Sequence, residues 1–498
     1  KLHRPVRFHM DRDVDQVTSG QRHSFLARYT LAVRKQSLAF VAADVQLYSN
    51  GGWSLDLSQP VLNRAMLHVT NACKVPSVRV RGSICKTNIP SNTAFRGFGG
   101  PQGMFAAEAM FEHAARELRV SREDLLRANF FTSGDRTWFN HELKPKDVPL
   151  QRMWDQLVVQ SDFESRRKAV EAFNSQHRYR KRGLAVVPTT FGISFTAKHL
   201  NQAGALVHVQ KDGTILVSHG GVEMGQGLHT KIARIAAEAM DVPIEAVYVK
   251  ETSTDTVTNT TPTAASSGTD LNGGAVLNAC VEVMERLRPF LEKHRSTHVT
   301  DAGDEAGDRR QELLAKAAGD AFFARVNLTA QGYFRTPING VDWNQKGVNE
   351  FDGDPFFYYA YGVACTEVEI DCLTGDSQVL RADIVHDVGR SVNAALDIGQ
   401  VEGAFMQGIG LFTMEEVVFD RAGNLMSKGP GMYKIPGFGD VPLDFRVRLL
   451  ENSEGPAVVG SKAVGEPPLF LGSAVFFAIK EAVLAARRDF QKECGASV

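Results

Sequence analysis

The chain of 498 residues has only six cysteines, at 73, 85, 280, 365, 372 and 494. None forms a C-x-x-C pair and none stands at zinc spacing to histidines. That pattern excludes a zinc finger and an iron–sulfur cluster held by this chain. Sparse, irregular cysteines fit a reduced, intracellular compartment better than a disulfide-framed secreted domain. Charge of one sign is equally scarce: 56 basic against 57 acidic residues leave a net charge of −1. Such a balance speaks against a nucleic-acid binder and against a polybasic membrane surface. No apolar run is read as long enough to span a bilayer, so no membrane is expected. Low-complexity tracts and internal repeats are absent. So are a Walker A loop, HExxH, GxSxG, and a GxGxxG that follows a strand. The chain opens on Lys1-Leu2-His3 with neither Met nor an apolar leader, as expected of one trimmed or cut from something larger.

The rest is ordinary globular protein, 43% hydrophobic and 23% charged, of a length suited to about three domains. Helical and strand patterns mix throughout. Met104, Phe111, Ala115 and Leu118 make a helical stripe, with Glu108, Glu112 and Arg116 off it. A short helix starts at Ser121, and Leu228, Ile232, Ile235 and Ala239 mark another. Ser473 would cap a last helix that buries Val475, Ile479, Ala482 and Ala486. Hairpins are expected over 205–218 and 363–386. Residues 132–150 and 293–310 read as connectors, the latter as a mobile surface loop. The coarse division is 1–131, a bridge over 132–180, and 181–498. Asn259 and Asn327 begin glycosylation sequons, motifs too short to indicate secretion.

Glycines cluster at Arg96-Gly97-Phe98-Gly99-Gly100, at 219–227 and at Gly465-Glu466-Pro467-Pro468. Taken singly, each cluster reads most simply as a tight turn. Gly225-Gln226-Gly227 also precedes a helix whose first N–H groups would be free for an anion. Glu466 lies in an apolar run followed by two prolines. That setting would desolvate the carboxylate and make it more basic, as a general base requires. Its plainer reading is a surface residue on a proline turn. Arg64 is an isolated cation in an apolar stretch. It would either anchor an anionic or carbonyl-bearing ligand or pair with a structural carboxylate.

Five segments carry a resemblance. They are Lys86-Thr87-Asn88 through Phe98-Gly99-Gly100-Pro101-Gln102, Phe191-Gly192-Ile193-Ser194-Phe195-Thr196, Glu223-Met224-Gly225-Gln226-Gly227-Leu228-His229-Thr230, Thr261-Pro262-Thr263-Ala264-Ala265-Ser266, and Gly465-Glu466-Pro467-Pro468. In this order they resemble the molybdopterin-binding portion of the xanthine dehydrogenase/oxidase family of molybdenum hydroxylases. The resemblance runs from the first residues to about 488. It implies an α+β fold of two mixed subdomains with the molybdenum–pterin site between them. Residues 1–131 would be the C-terminal part of the first subdomain and 181–498 the second.

The implied reaction is hydroxylation of hypoxanthine and xanthine to urate. A pterin-bound molybdenum would carry oxo, sulfido and hydroxide ligands. Glu466 would take the proton of the hydroxide and hydride would pass to the sulfido. Phe98 and Phe195 would sandwich the flat substrate, Arg64 would face a purine oxygen, and Thr196 would offer a hydroxyl. Arg96 and Ala265 would be the contacts nearest the metal, with Gln226 and Gln400 along the pterin. Two [2Fe-2S] clusters and FAD, with NAD or oxygen beyond them, would belong to other domains of the same or a partner chain. A homodimer is expected. The family also has an upstream glycine-rich segment and a second active-site Glu that the matched part lacks, so the chain alone is expected to be inactive. Aldehyde oxidase shares the fold and cofactor but usually has no arginine where Arg64 stands. A non-catalytic piece that only binds partners is the alternative of another class.

Overall fold

The computed structural model describes residues 3–4, 6–144, 148–295, 305–338 and 354–494. It is an α+β protein with three sheets. A short helix α1 (Arg12–Thr18) precedes strands β1 (Phe25–Val33) and β2 (Phe40–Gly52). Helix α2 (Ser58–Leu67) then crosses to β3 (Ser77–Lys86). β2 pairs antiparallel with β1 and parallel with β3, so α2 is the crossover that a parallel pair requires. α3 (Gly100–Leu118) packs on α2, and Ser121 caps α4 (Arg122–Arg127) by accepting the Asp124 N–H. Glu108 and Glu112 lie off the apolar stripe of α3, yet both are buried. Asn71 and Arg122 hold the Glu108 carboxylate, while Arg116 and Lys480 hold that of Glu112. Arg116 is one turn from Glu112, but Asn71, Arg122 and Lys480 lie outside the helical spacing of α3, which its period cannot reveal.

The polar stretch after residue 131 is irregular, but it drives Phe139 and Leu143 into the core of the first sheet. Pro145 lies outside the described residues. The bridge continues as two helices, α5 (Leu150–Gln160) and α6 (Phe163–Gln176). They lead to β4 (Arg180–Ile193), then to β5 (Gln202–Val209) and β6 (Ile215–His219), which form the first expected hairpin. α7 (Leu228–Met240) and β7 (Val247–Val249) follow, then α8 (Gly268–Arg295), α9 (Glu305–Phe323) and β8 (Thr329–Arg335). Helices therefore occupy both flanks of the segment read as a loop over 293–310; residues 296–304 lie outside the described residues. β9 (Tyr358–Asp371) and β10 (Ser377–His386) make the second expected hairpin. α10 (Ala394–Ile409), β11 (Asp444–Leu449) and α11 (Ser473–Cys494) complete the order.

The sheet β11-β10-β9-β4 is the centre of the molecule. β9 is buried along almost its whole length and β4 over its second half, so helices must cover both faces. α11 packs on β4 and β9, α5 on β9 and β10, and α6 on β4. A Cβ at Gly183 of β4 would lie 1.9 Å from the Ala478 carbonyl, so glycine lets α11 sit directly on the strand. Ser473 is no cap: a 3-10 turn over Pro467–Gly472 runs straight into α11, and the buried Ser473 hydroxyl has no partner. By length and composition, Pro467–Gln491 is apolar enough to cross a membrane, contrary to the expectation of no such run. Most of it is buried inside the protein, which makes it a core helix. The third sheet, β7-β6-β5-β8, packs under α8 and has a core of its own.

Candidate functional site

A cavity of about 700 Å³ opens between α2, the loop before α3, and the loops after β4, before α8 and before α11. All nine residues singled out from the sequence line it: Arg64, Arg96, Phe98, Phe195, Thr196, Gln226, Ala265, Gln400 and Glu466. Leu57, Pro60, Phe95 and Leu200 add apolar wall.

Glu466 directly precedes the buried 3-10 turn, whose two prolines fix its backbone. Its carboxylate is only half-buried, and it is not bare. Gly97 N–H donates to Oε1 at 2.9 Å and the Ser266 hydroxyl to Oε2 at 3.2 Å. The apolar isolation read from the sequence is thus corrected, since donors 369 and 200 residues away reach this side chain. Gly97, Phe98 and Gly99 all have positive φ, at 95°, 51° and 93°. Ala265 and Ser266 repeat the left-handed backbone at 55° and 56°. Such backbone is disfavoured for residues with a Cβ and persists only where the surroundings impose it. Here it turns two loops toward one carboxylate.

Arg96 fastens the same corner. Its Nε–H donates to the Gly465 carbonyl at 2.6 Å, and its two terminal nitrogens donate to the Oε1 atoms of Gln407 and Gln400, each at 2.9 Å. Gln400 and Gln407 stand two turns apart on α10 and share a face. Burial lowers the Arg96 pKa, and Glu466 partly offsets the shift. Neither the Arg96 guanidinium nor the Ala265 methyl can ligate a cation, so both are neighbours of any metal rather than its ligands.

Arg64 is 2% exposed and has no carboxylate partner among the described residues. Its terminal nitrogens donate to the carbonyls of Ser194, at 3.0 Å, and Gly192, and its Nε has no partner. The rings of Phe191 and Phe356 lie 4.6 and 5.2 Å from the guanidinium carbon. Burial lowers its pKa, opposed by Glu466. His68, one turn on, supports this arrangement. Burial and then Arg64 push the His68 pKa down to about 3, so the ring is neutral. Gly192 N–H donates to its Nε2, which leaves Nδ1–H to donate to the Arg64 carbonyl. The i, i+4 spacing from Arg64 to His68 was the available signal for it.

Phe98 and Phe195 reach the cavity from different loops. Asn201 fixes the Phe195 backbone by pairing with both its N–H and its carbonyl. The Gly225-Gln226-Gly227 loop differs from expectation. Its N–H groups are not free, because Glu223 accepts those of Gly225, Gly227 and His229, each at 2.9 Å. Burial would raise the Glu223 pKa, but these backbone donors outweigh it and hold the pKa low. Gln226 also turns inward on its loop, donating to the Val222 carbonyl and accepting from Met224 N–H.

Lys231, Asp270, Asp397 and Lys462, charged groups missed in the sequence, also line the cavity. Lys231 of α7 pairs with Asp397 of α10, and Lys462 with Asp387, both buried. Asp270 is fully buried against the Tyr358 hydroxyl at 2.6 Å, and burial pushes its pKa up to about 7. The Tyr358 hydroxyl and the charge of Lys231 oppose that shift only in part.

No group of three or more His, Cys, Asp or Glu among the described residues is arranged to hold a metal ion. A metal in this cavity must therefore arrive with ligands of its own. The cavity suits an organic carrier: Gln226, Gln400 and the left-handed turn at Ala265-Ser266 all line it.

Residues 1–130 and 156–442 each match a model of a molybdopterin cofactor-binding domain. Xanthine dehydrogenase of Emericella nidulans is 51% identical over 98% of this chain, and xanthine dehydrogenase/oxidase of Mus musculus is 49% identical over 98%. The chain spans about 35% of the length of these relatives. Among solved structures, quinoline 2-oxidoreductase of Pseudomonas putida 86 superposes with a TM-score of 0.80 at 23% identity, over 95% of this chain and 61% of that one. The aldehyde oxidoreductase of Desulfovibrio desulfuricans gives 0.80 at 22%, over 95% and 48%. At such identities the likeness concerns the fold alone. The chain belongs to the molybdopterin cofactor-binding domain family.

Proposed function

We propose that this chain builds the substrate chamber of a molybdenum hydroxylase acting on purines, converting hypoxanthine and xanthine to urate, with Glu466 as general base. The observation that carries the reading is the Glu466 carboxylate, held in the cavity wall by one donor on each oxygen. The names of relatives at about 50% identity support the substrate class. The pterin-bound molybdenum, when present, supplies the redox chemistry and the oxygen transferred.

The chain's own residues bind, orient and move a proton. Glu466 accepts the proton released as the purine ring carbon is attacked. Phe98 and Phe195 hold the flat ring between them, and Thr196 offers it a hydroxyl. Arg64 presents positive charge to a purine oxygen as negative charge grows there. Arg96, Gln226, Ala265 and Gln400 line the cofactor, and the apolar wall of Leu57, Pro60 and Leu200 limits water. In this reading two [2Fe-2S] clusters and FAD carry the electrons away, in parts of the protein outside this chain. The assembly is a homodimer in the cytoplasm or peroxisome, bound to neither nucleic acid nor membrane.

Glu466→Gln tests the base. The variant should keep its molybdenum and lose about 10²–10⁴ in xanthine turnover. Near-normal turnover at full metal content overturns the assignment.

A further inference from the structure

We propose that Ser266 is a positioning residue that sets the orientation of the Glu466 carboxylate; the inference rests on Glu466 being the base. Two hydrogen bonds join the residues. The Glu466 backbone N–H donates to Ser266 Oγ at 2.7 Å, and that hydroxyl donates to Glu466 Oε2 at 3.2 Å. The direction of each is determined by chemistry. An N–H can only donate, so the Ser266 oxygen accepts there and its own hydrogen is left for the carboxylate. With Gly97 N–H on Oε1, each carboxylate oxygen has its own donor and the plane of the group is fixed.

The fold accepts unfavourable backbone to reach this arrangement. Ser266 is left-handed at φ 56°, directly after Ala265 at 55°. The opposing loop leaves no room for a side chain, because a Cβ at Gly465 would lie 2.9 Å from Ser266 Oγ. The guanidiniums of Arg22, from the segment before β1, Arg64, from α2, and Arg96, from the loop after β3, interact with the Glu466 carboxylate at a distance. Ser266 and Gly97 touch it, and of those two only Ser266 does so through a side chain that can be removed.

Ser266→Ala and Ser266→Gly both delete the hydroxyl, and glycine accepts the left-handed backbone without strain. In the cofactor-loaded, complete polypeptide that carries this sequence, both variants should keep metal content and KM. Their kcat should fall about 10-fold as the base is misplaced. Crystals of Ser266→Gly should show the carboxylate turned away from its place beside Gly97. An unchanged kcat, with Glu466 unmoved in the crystal, overturns the proposal. Normal turnover by Glu466→Gln overturns the base reading instead, and the crystal position of the carboxylate then still decides whether Ser266 orients it.

Discussion

The Nε–H of Arg96 donates to the carbonyl of Gly465 at 2.6 Å, joining residues 369 apart in the chain. This bond sets the distance between the loop before α3 and the loop that carries Glu466. The terminal nitrogens of the same guanidinium reach Gln400 and Gln407, so one side chain ties together three segments of the cavity wall.

Replacing Arg96 by lysine keeps the charge and loses the planar fork. The ammonium cannot donate to Gly465, Gln400 and Gln407 in their present places. Arg96→Lys should lower kcat/KM for xanthine by about 10²-fold through misplacement of the Glu466 loop, with little change in Tm. Steady-state kinetics beside a melting curve checks both halves; unchanged kinetics would mean that the corner is held by other contacts.

On the proposed function, Arg64 would separate purine from aldehyde chemistry. Arg64→Met should depress xanthine turnover strongly and spare small aldehydes, which carry no oxygen at the purine position. Equal loss on both would identify Arg64 as structural. The Ser194 and Gly192 carbonyls that it already engages give that outcome a physical basis.

Asp270 makes stability depend on pH in the direction opposite to an ordinary ion-paired carboxylate. Burial lifts its pKa from 3.8 to about 7, so the folded protein binds a proton there that the unfolded chain has released. That contribution is fully present below about pH 4 and is lost as pH rises through about 7. Asp270→Asn removes the titration. Between about pH 5 and about pH 8 the parent Tm should fall relative to that of the variant, and parallel curves in differential scanning calorimetry would contradict the assignment.

Glu223 behaves in the usual way. Its pKa is held low by three backbone N–H groups, so its contribution is present above the unfolded value and is lost as pH falls. Glu223→Ala should cost about 1–2 kcal/mol near neutrality, as loss of a helix cap does, and much less in acid. Chemical denaturation at two pH values measures the difference. Faster hydrogen exchange at Gly225, Gly227 and His229 should accompany it.

The parts of this site legible in the sequence were those with a local signature. Glu466 stood out because two prolines follow it, Arg64 because apolar residues surround it, and the α7 stripe because Leu228, Ile232 and Ile235 keep helical period. The resemblance then named nine residues that converge on one cavity. Illegible were the contacts whose partners lie far off in the chain. Nothing in Ser266 indicates Glu466, nothing in Glu108 indicates Asn71 and Arg122, and a lone Asp270 gives no sign of the Tyr358 hydroxyl 88 residues away. The free N–H groups expected before α7 failed for a related reason. A capping carboxylate five residues ahead of the helix obeys no periodicity, although Glu223 was in plain sight within the motif.

The core helix that ends the described fold bears on how the protein is made. Pro467–Gln491 is as apolar as a membrane anchor, so while newly synthesised and undocked it offers chaperones and membrane-targeting factors a binding stretch. Its seat, however, is on β4 and β9, strands translated more than 95 residues earlier, which pair in antiparallel register along 14 positions. The receiving surface therefore precedes the segment that needs it. Anything that delays pairing of β4 with β9 should show itself first as diversion of this helix, through chaperone retention or insolubility, before any defect in the cavity is felt.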